Sequence, residues 1–285
     1  MTHARLRISL IASTLVLTIF GCAMPGLTPV SAPAPTADTV LLVTIVAETV
    51  AAALEETASA VAPIPTSTPT LPPPTETATA SAEVTASGSL LTKRDDGSTL
   101  FADQRGGYEL IVPAGWLALR VNEQEYLDAW TLPETADPAI QRSLTSIQNQ
   151  DPNQFRLFVL DTQEGHVQGG FVTNINILWN QNETITLDDF TYLDSVAAEL
   201  PNAIPGAEVL STELTTTSNN IPMGIVTLQW TTQTEEGATV TVFQKQVYFR
   251  LNAGSLVITL TTSNELMDTV LPAFDAMIET FAIVN

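Results

Sequence analysis

The sequence predicts an α+β domain over residues 93–285, an antiparallel sheet flanked by helices, behind a disordered N-terminal tether. Three observations predict it. Strand-like runs come in groups with helical segments between them, which is the order of an α+β chain and not of a doubly wound parallel sheet. Short turns at Gly237 and at Asn252-Ala253-Gly254 separate the last three extended runs, so those strands are expected as antiparallel neighbours. Residues 62–88 are dominated by Pro, Thr and Ala with no periodic apolar face, so the packed core must lie downstream.

Within the domain, Tyr108, Leu110 and Val112 alternate with Glu109 and Ile111 in a half-buried strand ended by Pro113-Ala114-Gly115-Trp116. Extended structure resumes over residues 117–121. Asp137-Pro138 is a cap and first-turn pair for a helix bearing Ile140, Leu144 and Ile147, and Asp151-Pro152 stops it. Residues 155–160 and 171–179 are strands. The second sets Ile175, Ile177 and Trp179 on one face and Asn174 and Asn176 on the other. Residues 186–189 have the spacing of a capping box, with Asp189 in the place of Glu, and open a helix with Phe190, Leu193, Val196 and Leu200 on one side. Strands at 208–216, 225–231, 239–251 and 255–261 complete the sheet. A final helix presents Leu266, Val270, Phe274, Met277 and Phe281, with Pro272 expected to kink or restart it.

The N-terminal third is organised differently. Arg5 and Arg7 precede an apolar run, residues 8–20, that is too short to span a bilayer and ends in Gly21-Cys22. Residues 1–21 resemble a bacterial lipoprotein signal peptide, with Ile19-Phe20-Gly21-Cys22 in the place of the lipobox. The resemblance implies cleavage before Cys22 and lipidation of that residue, which makes the membrane a partner through the lipid. It also implies a place on the extracytoplasmic face of the cell membrane. Each buried acyl methylene contributes roughly 0.8 kcal/mol, so two or three chains anchor almost permanently. Cys22 is the only cysteine, so no disulfide is expected and stability must come from the core. Residues 22–37 read as a disordered tether. Residues 38–61 read as a short stalk helix, capped by Asp38, with Val40, Val43, Val46, Val50 and Leu54 at helical spacing. Glu48 interrupts its apolar stretch and excludes a transmembrane span. Residues 62–92 read as a disordered Pro/Thr-rich spacer, semi-rigid, with a reach of roughly 3.1 Å per residue.

Charge narrows the partners. Lys and Arg number 10 against 31 Asp and Glu, and loss of Arg5 and Arg7 with the signal makes the balance more acidic still. Such a chain repels phosphate backbones, which argues against nucleic acid as a partner.

The run Tyr108-Glu109-Leu110-Ile111-Val112-Pro113-Ala114-Gly115-Trp116 opens the domain. A strand pair from Tyr248 leads to Leu271-Pro272-Ala273-Phe274 and a closing Phe281. On these residues the chain resembles the PsbP-like superfamily over residues 95–285. The resemblance implies an α/β/α sandwich, no carried-over catalytic residue, and a non-enzymatic binding or assembly role toward an unknown protein or cell-envelope partner.

Chemistry is sparse. His166 is the single histidine after the signal and reads as a solvated residue of the polar loop 162–170. Without a second histidine or a free thiol, Cys-His triads and histidine or cysteine zinc sites are excluded. Gly169-Gly170 lacks the spacing of a phosphate loop. The pairs Asp95-Asp96, Asp188-Asp189 and Glu235-Glu236 are the remaining candidates, for calcium or for acid and base in glycoside hydrolysis, and each also fits a turn or a helix start. No cofactor and no metal is implied. The leading reading is a non-catalytic module on a lipid anchor, and the alternative is an extracytoplasmic hydrolase or carbohydrate-active enzyme. Two carboxyls facing one another roughly 5–9.5 Å apart would distinguish the enzyme.

Overall fold

Strand pairing begins earlier than the sequence predicts. The computed structural model describes residues 88–284, and its first strand, β1, is Ser89–Lys93. It pairs antiparallel with β2, Thr99–Asp103, which the sequence reading passed over. The spacer predicted to run to residue 92 therefore gives way to the fold by Ser89, whose backbone oxygen accepts a 2.6 Å hydrogen bond from Arg120 Nη1. Five residues of weak alternation become a strand only through that pairing. Cys22, the tether, the stalk helix and residues 62–87 of the spacer lie outside the described residues.

Strand β3, Tyr108–Val112, extends the hairpin, and β4, Trp116–Leu119, begins the main sheet. A short helix the sequence did not announce, α1, Gln124–Ala129, leads to α2, Pro138–Ile147, where the Asp137 carboxylate accepts the Ala139 N–H at 2.7 Å as the expected cap. Next come β5, Phe155–Asp161, and the small hairpin of β6, Val167–Gln168, with β7, Phe171–Val172. The single strand predicted at 171–179 is thus broken at Thr173, and β8 is Asn174–Asn180.

The helix α3, Thr191–Ala203, starts later than the predicted capping box. That box is not formed. The Asp189 carboxylate takes the Thr191 N–H at 2.9 Å instead, and Phe190, expected on the apolar side, is exposed. Strands β9, Glu208–Thr216, β10, Pro222–Gln233, β11, Thr239–Leu251, and β12, Gly254–Ser263, follow; the last three are the antiparallel neighbours predicted, and β9 pairs antiparallel with β10 as well. The last helix, α4, Met267–Glu279, continues through Pro272, so the restart expected there does not occur, although a proline at that position forgoes the hydrogen bond to the Asp268 carbonyl. A two-residue strand, β13, Ala282–Ile283, closes on β3.

The main sheet has seven strands in the order β4-β5-β8-β12-β11-β10-β9, every pair antiparallel, and the smaller sheet has the order β1-β2-β3-β13. An antiparallel sheet flanked by helices, the predicted class, is what the described chain adopts. One face of the main sheet packs on α4 and the smaller sheet through Leu157, Ile177, Val247, Phe249 and Leu256, against Val270, Phe274 and Met277. Phe281 stacks on Phe249 at 3.9 Å between centroids and on Tyr108 at 5.7 Å, and Tyr108 meets the Phe101 edge at 5.9 Å. This aromatic ladder joins the two sheets. Fully burying one such ring contributes on the order of 1.5–3 kcal/mol.

The opposite face is divided. Near β9 and β10 it packs with α3 through Leu193, Leu200, Val226 and Leu228. Near β4 and β5 it packs with α2 through Leu119, Ile140, Leu144, Phe158 and Leu160. Gly224 permits the approach of α3, since a Cβ there would lie 2.7 Å from a Leu193 methyl.

Candidate functional site

Between those two apolar clusters the central strands carry a polar block. Strand register places Gln244 beside Thr261 and Thr261 beside Asn174, and in the next row Gln246 beside Thr259 and Thr259 beside Asn176. All six side chains are buried. Six amides and hydroxyls in the middle of a sheet are the departure from ordinary packing that marks this face, since polar groups taken from water need partners.

Some of the block is internally satisfied. Tyr248 Oη donates to Gln246 Oε1, Gln246 Nε2 donates to Gln244 Oε1 at 2.7 Å, and Gln244 Nε2 donates to Thr261 Oγ1 at 3.1 Å. Asn174 Nδ2 donates to the Val172 carbonyl at 3.1 Å. At the centre, Asn176 Oδ1 and Thr259 Oγ1 are buried without a hydrogen-bond partner among the described residues.

The seam loosens along β8. Leu178 and Asn180, on the same face as Asn176, are only half-buried, although β8 is an interior strand. Leu178 packs against both apolar clusters. Beyond it, Glu183 Oε2 accepts from Ser255 Oγ at 2.9 Å and from Asn180 Nδ2 at 3.3 Å. Gly254 fits this corner because a Cβ would lie 2.0 Å from the Asn180 carbonyl oxygen. Burial pushes the Glu183 carboxyl above its ordinary pKa, outweighing those two hydrogen bonds. Tyr192 packs edge-on to Tyr248 at 5.7 Å between centroids. Burial first, and then the charge of Glu183, raise the Tyr192 phenol; burial, Tyr192 and Glu183 raise Tyr248. Both tyrosines therefore stay protonated at physiological pH, and Tyr248 donates to Gln246. The seam presents neutral amides and hydroxyls, one carboxyl at its end, and apolar walls, a combination suited to binding an uncharged polar group.

The residues singled out in the sequence do not meet here. Cys22 lies outside the described residues. His166 departs from its expected solvated state: its Nδ1 is 2.6 Å from Oδ2 of Asp161, a carboxylate with no exposed side-chain surface, and the imidazole is itself largely covered. Asp161 Oδ1 also accepts the Gln163 N–H at 3.1 Å. The acidic pairs are exposed and scattered. Asp96 caps Ser98 in the β1–β2 turn, and Asp189 caps Thr191 at the start of α3. Glu235 and Glu236, at the β10–β11 turn, reach Arg142 of α2 at 3.4 and 3.0 Å. No group of three or more His, Cys, Asp or Glu is placed to hold a metal among the described residues, and no helix among them is long and apolar enough to cross a membrane.

Sequence reasoning saw Asn174 and Asn176 as one face of a strand but did not join them to β11 and β12. The signal was present as a shared two-residue period: Asn174-Ile175-Asn176, Gln244-Lys245-Gln246 and Thr259-Leu260-Thr261.

No family model and no curated protein matches the chain. Among solved structures it is similar to the cyanobacterial PsbP (CyanoP) of Synechocystis sp. PCC 6803, at 16% identity over 67% of this chain and 94% of that one, TM-score 0.37. It is similar to LpqN, a protein involved in cell envelope biogenesis of Mycobacterium tuberculosis, at 14% identity over 69% of this chain and 91% of that one, TM-score 0.36. It is also similar to the Saccharomyces cerevisiae Ran-binding protein Mog1p, at 13% identity over 67% of this chain and 97% of that one, TM-score 0.39.

Proposed function

We propose that this protein is a lipid-anchored, extracytoplasmic binding module of PsbP-like architecture, held to the cell membrane through acylated Cys22 and displayed on its Pro/Thr-rich spacer. The module binds a protein or cell-envelope partner and does no chemistry on it. The observation that carries the binding half is the buried polar seam on the sheet face that also bears α2 and α3, whose central atoms, Asn176 Oδ1 and Thr259 Oγ1, have no hydrogen-bond partner among the described residues. The anchoring half rests on Gly21-Cys22 behind the basic and apolar residues of the N-terminus. The carboxylate arrangement favours binding over hydrolysis, because Asp96, Asp189 and the Glu235/Glu236 pair sit on separate exposed turns, each with a local partner. Cross-linking on intact membranes followed by capture of the native lipoprotein tests the binding half. A specific partner should be retained by His166→Ala and lost when Gln246 and Asn176 are replaced by Leu. Retention in both variants would move the binding surface elsewhere, and a hydrolytic activity abolished at one acidic pair with stability unchanged would replace the reading with the enzyme.

A further inference from the structure

On the reading that the seam is the binding site, we propose that Asn176 and Thr259 together hold one neutral hydroxyl group, which donates to the Asn176 carboxamide oxygen and accepts from the Thr259 hydroxyl. The two residues are direct partners across β8 and β12, 4% and 1% exposed, and neither orphaned atom has a hydrogen-bond partner among the described residues. Two unsatisfied atoms side by side call for a shared guest, because each left alone carries the full cost of its lost hydration. The neighbouring Gln246 does not bond either atom. Its amide nitrogen donates to Gln244 and its oxygen accepts from Tyr248. Nor do the other members of the block: Gln244 donates to Thr261, Asn174 donates to the Val172 carbonyl, and neither orphaned atom is bonded by any of them.

The guest is neutral by the chemistry around it. The six side chains of the block are uncharged, and the carboxyl at the seam's end, Glu183, is already engaged by Ser255 and Asn180. A cation would find only one carboxamide oxygen and hydroxyls, and an anion would meet that oxygen's lone pairs. A hydroxyl matches both atoms at once. It can come from an ordered internal water, which ordinarily makes two to four such bonds, or from a small polyol entering past half-buried Leu178.

A double-mutant cycle in the full-length chain, read by urea denaturation, tests the shared guest. Thr259→Val and Asn176→Leu remove one partner each while keeping volume. Each should raise the unfolding equilibrium constant about tenfold, and the double variant little more than one single, because the guest is lost once. Thr259→Val that lowers the constant, or single effects that multiply, would overturn the proposal. Nuclear Overhauser contacts of Thr259 and Asn176 in the unmutated chain, with and without glycerol, give a reading that does not depend on variant folding. Contacts to long-lived water that persist in glycerol identify solvent as the source, and contacts to glycerol protons in their place identify a polyol hydroxyl. Contact with neither would contradict the inference, even if partner capture from membranes succeeds.

Discussion

The Arg156 guanidinium grips the Asp103 carboxylate in two parallel hydrogen bonds, Nε to Oδ2 at 2.6 Å and Nη2 to Oδ1 at 3.1 Å, with neither side chain exposed. The pair ties β2 of the smaller sheet to β5 of the larger one. Arg156 reaches it because register slips between Phe155 and Leu157, a bulge that turns its side chain toward Trp179, whose ring centroid lies 5.5 Å away. The carboxylate is further satisfied by the Arg105 and Gly106 N–H groups.

Breaking this pair from one side strands a buried charge. Asp103→Ala or Arg156→Met should each cost about 3–5 kcal/mol in urea denaturation. The double replacement Asp103→Leu with Arg156→Met should cost less than either single change. Simple addition of the two losses would show that the ion pair does not join the sheets.

Glu183 sets a pH dependence whose sign follows from its environment. Its folded-state pKa is raised above the ordinary 4.5, so the folded chain holds this proton more tightly than the unfolded chain. The stability it contributes is complete below about pH 4.5 and is lost as pH rises through the raised value. Glu183→Gln should therefore gain on the wild type steadily from pH 4 to neutrality when both are denatured in parallel. A difference that is flat with pH, or that grows toward acid, would contradict the burial account.

Core and loop positions should separate cleanly. Trp116→Ala and Phe274→Ala, at 4% and 0% exposure, should cost about 3–5 kcal/mol each. His166→Ala should cost about 1–3 kcal/mol, because it leaves the buried Asp161 carboxylate one hydrogen bond short. A loss within 0.5 kcal/mol at His166, roughly the range of a surface change, would restore the solvated-loop reading.

The domain's first strand gives a boundary that proteolysis can locate. Cleavage should fall before Ser89 and spare residues 89–93, since Arg120 holds Ser89 and β1 pairs along its length with β2. A fragment starting at residue 94 should unfold at lower urea than one starting at 88. Equal midpoints would return residues 89–92 to the spacer.

What could be read in advance follows from how local each signal is. The β10–β12 meander, the Asp137 cap and the apolar face of α4 were legible because their partners lie within a few residues or across short turns. Asp103 and Arg156 are 53 residues apart, and no pattern joins them before the sheets are placed. The same holds for β1, whose weak alternation needs β2, and for His166, whose partner Asp161 lies at the end of the preceding strand. The polar seam was half legible. Period-two amides on a strand usually face solvent, whereas here they are buried on a face that also bears the apolar clusters of α2 and α3.

The most direct test of the account is detergent phase partitioning of cells labelled with a radioactive fatty acid, expressing either the wild-type chain or Cys22→Ser. The account predicts labelled wild-type protein in the detergent phase and unlabelled Cys22→Ser protein that does not enter it as a lipidated species, since the hydroxyl cannot replace the thiol in acyl transfer. Wild-type protein found unlabelled and wholly in the aqueous phase would contradict the lipid anchor, and with it the central claim that this domain works as a binding module at the membrane.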